Sequence, residues 1–240
     1  MMHTENIEYR DGDVVLEGYL AYDESVKAPR PLVLVAHDWT GRRDFATGKA
    51  EEMARLGYVG FALDMYGKGV FGSDSDVEGN SALMGPFAAD RAKLRKRILA
   101  ALTFAKGLDQ VDTSKVGAMG YCFGGMCVLE LARAGADVGG VVSIHGIFSA
   151  GTEPNALISA KVLCLHGHDD PMVPPEQVLA FEQEMSGAGV DWQVHAYGAT
   201  MHAFTNPDAN NPDFGAVFNP AANQRASRSI ENFWTEIFSV

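Results

Sequence analysis

A cysteine flanked by glycines stands at position 122, in the segment GAMGYCFGGMCVLEL (117–131). The residues before it read as a buried strand and those after it as a helix with apolar residues three and four apart. A residue in such a turn, with glycines two positions before and after it, has the form of the nucleophile elbow G-x-S-x-G, with cysteine in place of serine. The glycines leave room for a strained turn, and the helix N-terminus favours a thiolate. The pattern predicts that Cys122 is a nucleophile.

A nucleophile of this kind needs a base and a group that orients the base. In folds that carry the elbow, the order along the chain is nucleophile, acid, histidine. The predicted strand 161–167 leads into HGHDDPMVPPEQ, so Asp169 or Asp170 can supply the acid. The predicted strand 191–198 is followed closely by His202. The order predicts a Cys-His-Asp triad and leaves the two aspartates as alternatives.

A metal site is the competing interpretation of the same region. His166 and His168, with two adjacent aspartates, form an H-x-H group, and Cys122 and Cys127 form a C-x₄-C pair. Neither group has the additional ligands elsewhere that a metal site requires. We therefore predict no metal.

The other cysteines and histidines are expected to be structural. Cys127 and Cys164 lie in apolar runs, where a free cysteine behaves as a small buried hydrophobe. Three histidines at or near strand ends are predicted to be hydrogen-bonded structural groups: His37, His145 and His166. His195 lies within a predicted strand and His3 near the N-terminus.

The elements that must position these residues alternate along the chain. Strands are predicted at 31–37, 58–64, 116–121, 140–146, 161–167 and 191–198, and helices at 44–56, 88–106, 123–134, 175–187 and 222–238. A hairpin is predicted over 6–22, turning at Asp11-Gly12-Asp13. The alternation predicts an α/β fold in one domain over 1–240, with a mainly parallel central sheet and helices on both faces. Ligands bind such sheets at the carboxyl ends of the strands.

Glycines mark the ends of three predicted helices, and two longer segments are predicted to be loops. Gly57, Gly107 and Gly135 follow predicted helices and are expected to adopt left-handed caps. Two segments read as irregular: 66–86, rich in Gly, Ser and Asp, and 205–221, rich in Asn and Pro. Long loops in compact domains are often functional, so both are expected to shape a pocket.

Composition narrows the classes of partner. The 240 residues include 19 Lys and Arg against 31 Asp and Glu, a formal net charge of -12. This balance disfavours nucleic acid and anionic membranes as partners.

With an odd number of cysteines and no apolar segment typical of a signal peptide, we expect reduced thiols and a cytoplasmic location. A monomer or a homodimer is expected.

Five motifs together resemble the dienelactone hydrolase family, a cysteine branch of the α/β-hydrolase fold. They are AHDWTG, ALDMYG, GYCFGG, HGHDDPMVP and GATMHAF, and the resemblance covers nearly the whole chain. It implies Cys122 as nucleophile, His202 as base and Asp170, rather than Asp169, as acid. It also implies a reaction that needs no cofactor.

Two backbone amides are expected to stabilise an oxyanion. One is the N–H of Phe123, just after the nucleophile, and the other lies in the 38–40 loop, where Trp39 is the preferred donor. Family members usually carry Glu where this chain has Asp38, a carboxylate associated with the resting thiol. Asp38 is one methylene shorter, so it is either a thiol contact or a loop cap.

The chain departs from the family at a position that binds substrate. Dienelactone hydrolases carry an Arg four residues beyond the histidine to hold the substrate carboxylate, and this chain has Asn206. Arg91 and Arg95 are candidates for a substitute substrate contact, although a solvated helix face is the favoured interpretation of both. Dienelactone itself is therefore a weak candidate substrate.

The predicted function is hydrolysis of small esters or lactones with good leaving groups, through a thioester on Cys122. The alternative from another class is a non-catalytic protein that binds a ligand or senses oxidation through the same thiol. An accompanying acid and histidine favour the enzyme, because a sensor needs neither.

Overall fold

The computed structural model describes residues 1–239, so residue 240 of the predicted domain lies outside the described residues. The strands are β1 Met2–Asp11, β2 Val14–Asp23, β3 Arg30–Ala36, β4 Val59–Leu63, β5 Val111–Tyr121, β6 Gly140–Ile144, β7 Lys161–Gly167, β8 Trp192–Tyr197, β9 Asn210–Asn211 and β10 Ala216–Val217. The helices are α1 Asp44–Arg55, α2 Val77–Ala89, α3 Arg91–Lys106, α4 Phe123–Arg133, α5 Pro175–Gly187 and α6 Pro220–Phe238.

Eight strands form one sheet in the order β1-β2-β4-β3-β5-β6-β7-β8. The strands from β4 to β8 in this order pair in parallel, whereas β1 and β2 are antiparallel to each other and β2 is antiparallel to β4. The hairpin closes through a two-residue turn between Asp11 and Val14, where Gly12 has φ +59°. The predicted α/β fold, with its mainly parallel sheet and N-terminal hairpin, is confirmed.

Both faces of the sheet are buried under helices. Along β3, Leu32 and Leu34 face the apolar cluster built with α3, α4 and α5, while Val33 and Val35 face the cluster built with α1 and α6. All four side chains have no exposed area. A strand covered on both faces has no solvated side, which explains its continuous apolar run.

The segment 66–86 contains a helix that the sequence pattern did not indicate. Helix α2 begins after Asp76, whose carboxylate caps it by accepting from the Gly79 N–H at 2.9 Å. It contains Gly79, Gly85 and Pro86, which lower helix propensity and favoured the prediction of a loop. The prediction of an irregular 66–86 segment is wrong from residue 77 onward.

The second segment, 205–221, is closer to its prediction. It contains only the short ladder of β9 and β10, and α6 begins at Pro220 rather than at 222. Asn219 caps α6 by accepting from the Ala222 N–H at 3.1 Å.

Two of the three glycine caps are confirmed. Gly57 and Gly135 have φ +93° and +70°. Gly107 instead has φ −85° and continues the helical turn, because its N–H still donates to the Phe104 carbonyl at 3.0 Å. The prediction of a left-handed cap at Gly107 is wrong.

The sheet order brings the site-bearing strands together. Strands β5, β6, β7 and β8 are consecutive neighbours and parallel, so the residues after their carboxyl ends meet at one edge of the sheet. Within residues 1–239, no helix combines the length and apolar character needed to cross a bilayer.

Candidate active site

Cys122 occupies a strained turn between β5 and α4. Its backbone angles are φ 54° and ψ −115°, which a residue with a side chain rarely adopts. A Cβ placed on Gly120 would lie 2.1 Å from the Gly124 carbonyl oxygen, and one on Gly124 would lie 2.2 Å from the Ala36 carbonyl oxygen. The chain therefore approaches itself too closely for any residue but glycine at either position. The turn leaves the Cys122 side chain partly exposed at the start of the helix.

Substituting Gly120 by Ala is expected to lower the free energy of unfolding by about 3 kcal/mol, because the methyl group collides with backbone rather than with a movable side chain. Urea denaturation measures this loss. Gly48→Ala is the matched control, since a Cβ on Gly48 of α1 meets no atom within 4 Å. That variant should gain up to ~1 kcal/mol from helix propensity. Equal effects of the two substitutions would contradict the steric account.

His202 and Asp170 form a buried pair. Nδ1 of His202 lies 2.7 Å from Oδ2 of Asp170, and the side chains are 3% and 0% exposed. The other carboxylate oxygen accepts from the Met172 N–H at 2.8 Å, so Asp170 is fixed on both sides. Asp169, the alternative acid, is exposed. The pairing places a ring proton on Nδ1 and leaves Nε2 available for another partner.

The loop carrying His202 is fixed by its backbone. The His202 N–H donates to the Gly215 carbonyl at 2.9 Å, and its carbonyl accepts from the Val217 N–H at 3.0 Å. On either side, Ala199 and Ala203 have φ 52° and 55°. Left-handed alanines are costly, so surrounding contacts must impose this conformation. The backbone that carries the His202 ring is therefore held in one position.

The free nitrogen of the His202 ring is directed toward Cys122. Nε2 is buried and has no hydrogen-bond partner among the described residues, and the Cys122 side chain is close enough to influence the charge of the ring. Burial by itself lowers the pKa of His202, but the negative charge of the Cys122 thiolate and the hydrogen bond to Asp170 together raise it to about 10. At neutral pH this arrangement favours the protonated, cationic form of the His202 ring.

The backbone around the predicted oxyanion donors is ordered by a tyrosine. Phe123 is the first residue of α4, where N–H groups have no acceptor inside the helix. The Trp39 carbonyl accepts from the Tyr66 hydroxyl at 2.9 Å, and the Trp39 ring stacks on Phe214 with centroids 5.6 Å apart. Burial, and then the nearby thiol charges, raise the pKa of Tyr66, so its hydroxyl remains a donor. Tyr66 lies in the ALDMYG motif, but the sequence pattern indicated no role for it.

Asp38 acts as a loop cap. Its Oδ1 accepts from the Thr40 N–H at 2.7 Å and from the Thr40 hydroxyl at 2.6 Å. These contacts close a turn of the loop that carries Trp39. The described hydrogen bonds of the Asp38 carboxylate do not include the thiol, which favours the second of its two predicted roles.

The interpretation of Arg91 and Arg95 as a solvated helix face is wrong. Arg91 is 7% exposed, contacts the Met126 sulfur and donates to the Ser149 carbonyl at 3.3 Å. Arg95 pairs with the buried Glu130 at 2.8 Å. Both face inward because α3 packs on α4. Arg95 therefore forms a structural ion pair with Glu130. Arg91 has no carboxylate partner within the described residues.

The remaining cysteines and two of the histidines have structural roles. Cys127 and Cys164 are fully buried, and burial raises the pKa of both thiols. His37 accepts from the Met65 N–H at 3.1 Å, and its other nitrogen lies 2.6 Å from the Asp38 carbonyl. His195 in β8 contacts the Ser229 hydroxyl at 3.1 Å.

The two histidines of the H-x-H group, His166 and His168, lie in different environments. Nδ1 of His166 is buried without a hydrogen-bond partner in the described structure, so the prediction of a hydrogen-bonded His166 is wrong for that nitrogen. His168, in contrast, is exposed to solvent. Across the described residues, no group of three metal-ligating side chains is assembled.

A mainly parallel sheet between helices, with a strained strand-to-helix turn at Cys122 and a buried acid-histidine pair after two neighbouring strands, is typical of an α/β-hydrolase. Residues 16–238 match the dienelactone hydrolase family, and the chain belongs to that family. The predicted hydrolase is thereby confirmed at the level of family, and the non-catalytic alternative is not supported.

Individual relatives agree with this assignment. A dienelactone hydrolase-like promiscuous phosphotriesterase from metagenomic libraries is 35% identical, with a TM-score of 0.93 over 99% of both chains. A protein of Aquifex aeolicus provisionally named a carboxymethylenebutenolidase is 29% identical over 83% of this chain and 86% of its own length. A provisionally named dienelactone hydrolase from Klebsiella pneumoniae shares the fold, with a TM-score of 0.82 at 16% identity over 98% of this chain and 99% of that one.

Proposed function

We propose that this protein hydrolyses small esters or lactones with good leaving groups, using Cys122 as nucleophile, His202 as base and Asp170 as the group that orients the base. The observation that supports it most is the buried 2.7 Å pair of His202 and Asp170, whose free Nε2 faces the elbow cysteine. A nucleophile, a base and an orienting acid in this arrangement form the acyl-transfer triad.

In the first half of the reaction, the Cys122 thiolate adds to the substrate carbonyl carbon. The carbonyl π electrons move onto oxygen, and the amides of Phe123 and Trp39 stabilise the oxyanion. The tetrahedral adduct collapses to a thioester as the bond to the leaving oxygen breaks. His202 donates its Nε2 proton to that oxygen, and Asp170 stabilises the ring while it carries charge.

In the second half, water replaces the alcohol. Neutral His202 removes a proton from water, and the resulting hydroxide adds to the thioester carbonyl. Collapse of this adduct releases the carboxylic acid and returns the sulfur of Cys122 as a thiolate. The enzyme then regains its starting ion pair. Each cycle consumes one substrate molecule and one water and releases an alcohol and a carboxylic acid.

The thiol limits which substrates react. A thiolate leaves a tetrahedral adduct more easily than an alkoxide, so an ester with a poor leaving group reverts to substrate. Enol esters, enol lactones and aryl esters avoid this reversal because their leaving oxygen is weakly basic and leaves the adduct more easily. These classes are therefore the proposed substrates, and peptides are disfavoured.

The side chains near the site favour an uncharged substrate. Asn206 replaces the arginine that the family uses for a carboxylate, and an amide does not match that charge. Arg95 is paired with Glu130, and Arg91 is buried against Met126. The aromatic pair of Trp39 and Phe214 instead offers apolar surface.

A neutral phosphotriester is a second candidate substrate. The 35% identity and TM-score of 0.93 to a phosphotriesterase support it, because the likeness extends over 99% of both chains. A p-nitrophenyl dialkyl phosphate is uncharged and has the same good leaving group as an aryl ester. The proposed preference for uncharged substrates therefore applies to both classes.

Trapping of the covalent intermediate tests the proposal. The protein is mixed with p-nitrophenyl acetate, quenched in acid and analysed by intact mass and peptide mapping. We expect a burst of p-nitrophenol and one acetyl group on the peptide containing Cys122, lost again on treatment with hydroxylamine. Turnover with the acetyl group on a different residue, or with no covalent adduct at any time, would contradict the mechanism.

Steady-state kinetics with a panel of substrates distinguishes the substrate classes. The panel contains an uncharged enol lactone, its carboxylate-bearing analogue and a p-nitrophenyl diethyl phosphate. We expect the uncharged lactone to have the higher kcat/KM of the two lactones, by about tenfold or more. A preference for the anionic lactone would instead assign a carboxylate-binding role to Arg91.

A further inference from the structure

A second histidine, His145, lies against the proposed triad and has no part in the steps above. It is the first residue after β6 and is 2% exposed. Its backbone has φ 37°, in the left-handed region that residues with side chains seldom occupy. A strained, buried and titratable residue beside a nucleophile calls for a physical explanation.

The hydrogen bonds of His145 fix its protonation state. Nδ1 lies 3.2 Å from the backbone N–H of Cys122, which it shares with the Ile144 carbonyl at 3.0 Å. A nitrogen that accepts from an N–H carries no proton, so the proton of the neutral ring is on Nε2. Nε2 then donates to the Thr205 hydroxyl at 2.9 Å.

These contacts connect the two halves of the site. Cys122 immediately precedes the helix after β5, whereas Thr205 belongs to the loop that carries His202. The His145 ring also packs against the His202 ring, with centroids 5.1 Å apart and planes at 62°. One side chain thus contacts the backbone of the nucleophile, the ring of the base and the loop of the base.

We propose that His145 is a positioning residue which, as a neutral imidazole, sets the distance between Cys122 and His202. This inference rests on the proposed function, because it assigns His145 a part in the same reaction. A cationic His145 could not accept from the Cys122 N–H, and it would repel the imidazolium of His202. Positioning is therefore lost when His145 gains a proton.

The charged and titratable groups around the ring favour its neutral form. Lys49 on α1 and His202 on the loop after β8 place positive charge near it, and Tyr121 at the end of β5 packs on it with centroids 5.8 Å apart. Burial, followed by the charge of His202, lowers the pKa of His145 well below its usual value. The ring stays neutral at neutral pH, and its contribution to activity should disappear on the acid side.

Two substitutions separate the accepting nitrogen from the bulk of the ring. In His145→Asn, the amide oxygen occupies the place of Nδ1, the side chain does not titrate, and asparagine tolerates a left-handed backbone. In His145→Leu, the apolar contact remains but no acceptor is present. Each variant is assayed for kcat, KM and thermal unfolding with p-nitrophenyl acetate, and for kcat/KM across pH.

The expected result is a fall of about tenfold in kcat for His145→Leu, with KM nearly unchanged, as for loss of one hydrogen bond. His145→Asn should restore kcat to within about threefold of wild type. On the acid side, the Asn variant should lose activity at lower pH and with one proton fewer than wild type. A purely structural role would not change the proton count of that profile.

Three outcomes overturn the inference: wild-type kcat in the Leu variant, equal losses in both variants, or an unchanged acid limb in the Asn variant. If the Leu variant does not fold, His145→Gln replaces it, because its amide reaches toward Thr205 and leaves Cys122 without the acceptor. Failure of the proposed function is seen separately, as wild-type protein that forms no acetyl-Cys122.

Discussion

Replacing Cys122 by alanine is expected to lower kcat/KM for p-nitrophenyl acetate by about 10³-fold or more, because the covalent route is removed and only transition-state binding remains. The folded state should be nearly unaffected, since the thiol is partly exposed and caps no helix through its side chain. Steady-state kinetics and a urea denaturation curve measure the two quantities. Cys122→Ser keeps the geometry but replaces a thiolate by a weakly acidic hydroxyl, so it should also lose most activity.

Cys127 supplies the matched control. It lies one turn and a half further along α4, fully buried, and burial raises its thiol pKa. Cys127→Ala should retain kcat/KM within a few-fold and lose about 1 kcal/mol of stability through lost packing. Activity that survives in Cys122→Ala and disappears in Cys127→Ala would remove Cys122 from the mechanism.

Replacing Asp170 by asparagine should have a comparably large effect, a fall in kcat of about 10³-fold or more. The carboxylate accepts a hydrogen bond from Nδ1 of His202 at 2.7 Å, and both side chains are buried. An amide in its place can donate to Nδ1, which would put the ring proton on Nε2 and remove the base. Asp169→Asn, at the exposed neighbouring position, is the control and should leave kcat unchanged.

The alkaline limb of the pH profile depends on the pair of His202 and Asp170. The pKa of His202 is about 10 in the folded protein against an ordinary value of 6.5, and Asp170 contributes to the increase. A raised pKa means that the imidazolium stabilises the folded state fully below pH 6.5, and that this contribution is lost as pH rises through 10. Asp170→Asn should therefore move the alkaline fall in activity to lower pH. An alkaline limb at the same pH in both proteins would contradict the assigned pairing.

Local signals in the sequence were sufficient for the elbow and for most elements. The glycines around Cys122, the strand before it and the helix after it are all neighbours in the chain, so their chemistry is readable without the fold. The continuous apolar run of 31–37 likewise indicates a strand buried on both faces. Helix α2 was missed because tertiary packing and the Asp76 cap outweigh the low propensity of Gly79 and Pro86.

The arrangement around the elbow depends on contacts between residues far apart in the chain. His145 follows an unremarkable strand, and its contacts with Cys122 and Thr205 arise because β6 lies beside β5 in the sheet. Arg91 is buried for a similar reason, since α3 packs on α4 and directs it inward. The sequence by itself determined the class of fold and predicted the nucleophile and the order of its partners, because those depend on short-range spacing. Only the tertiary structure determined which polar groups are buried together, because that depends on strand order and helix packing, which spacing along the chain does not encode.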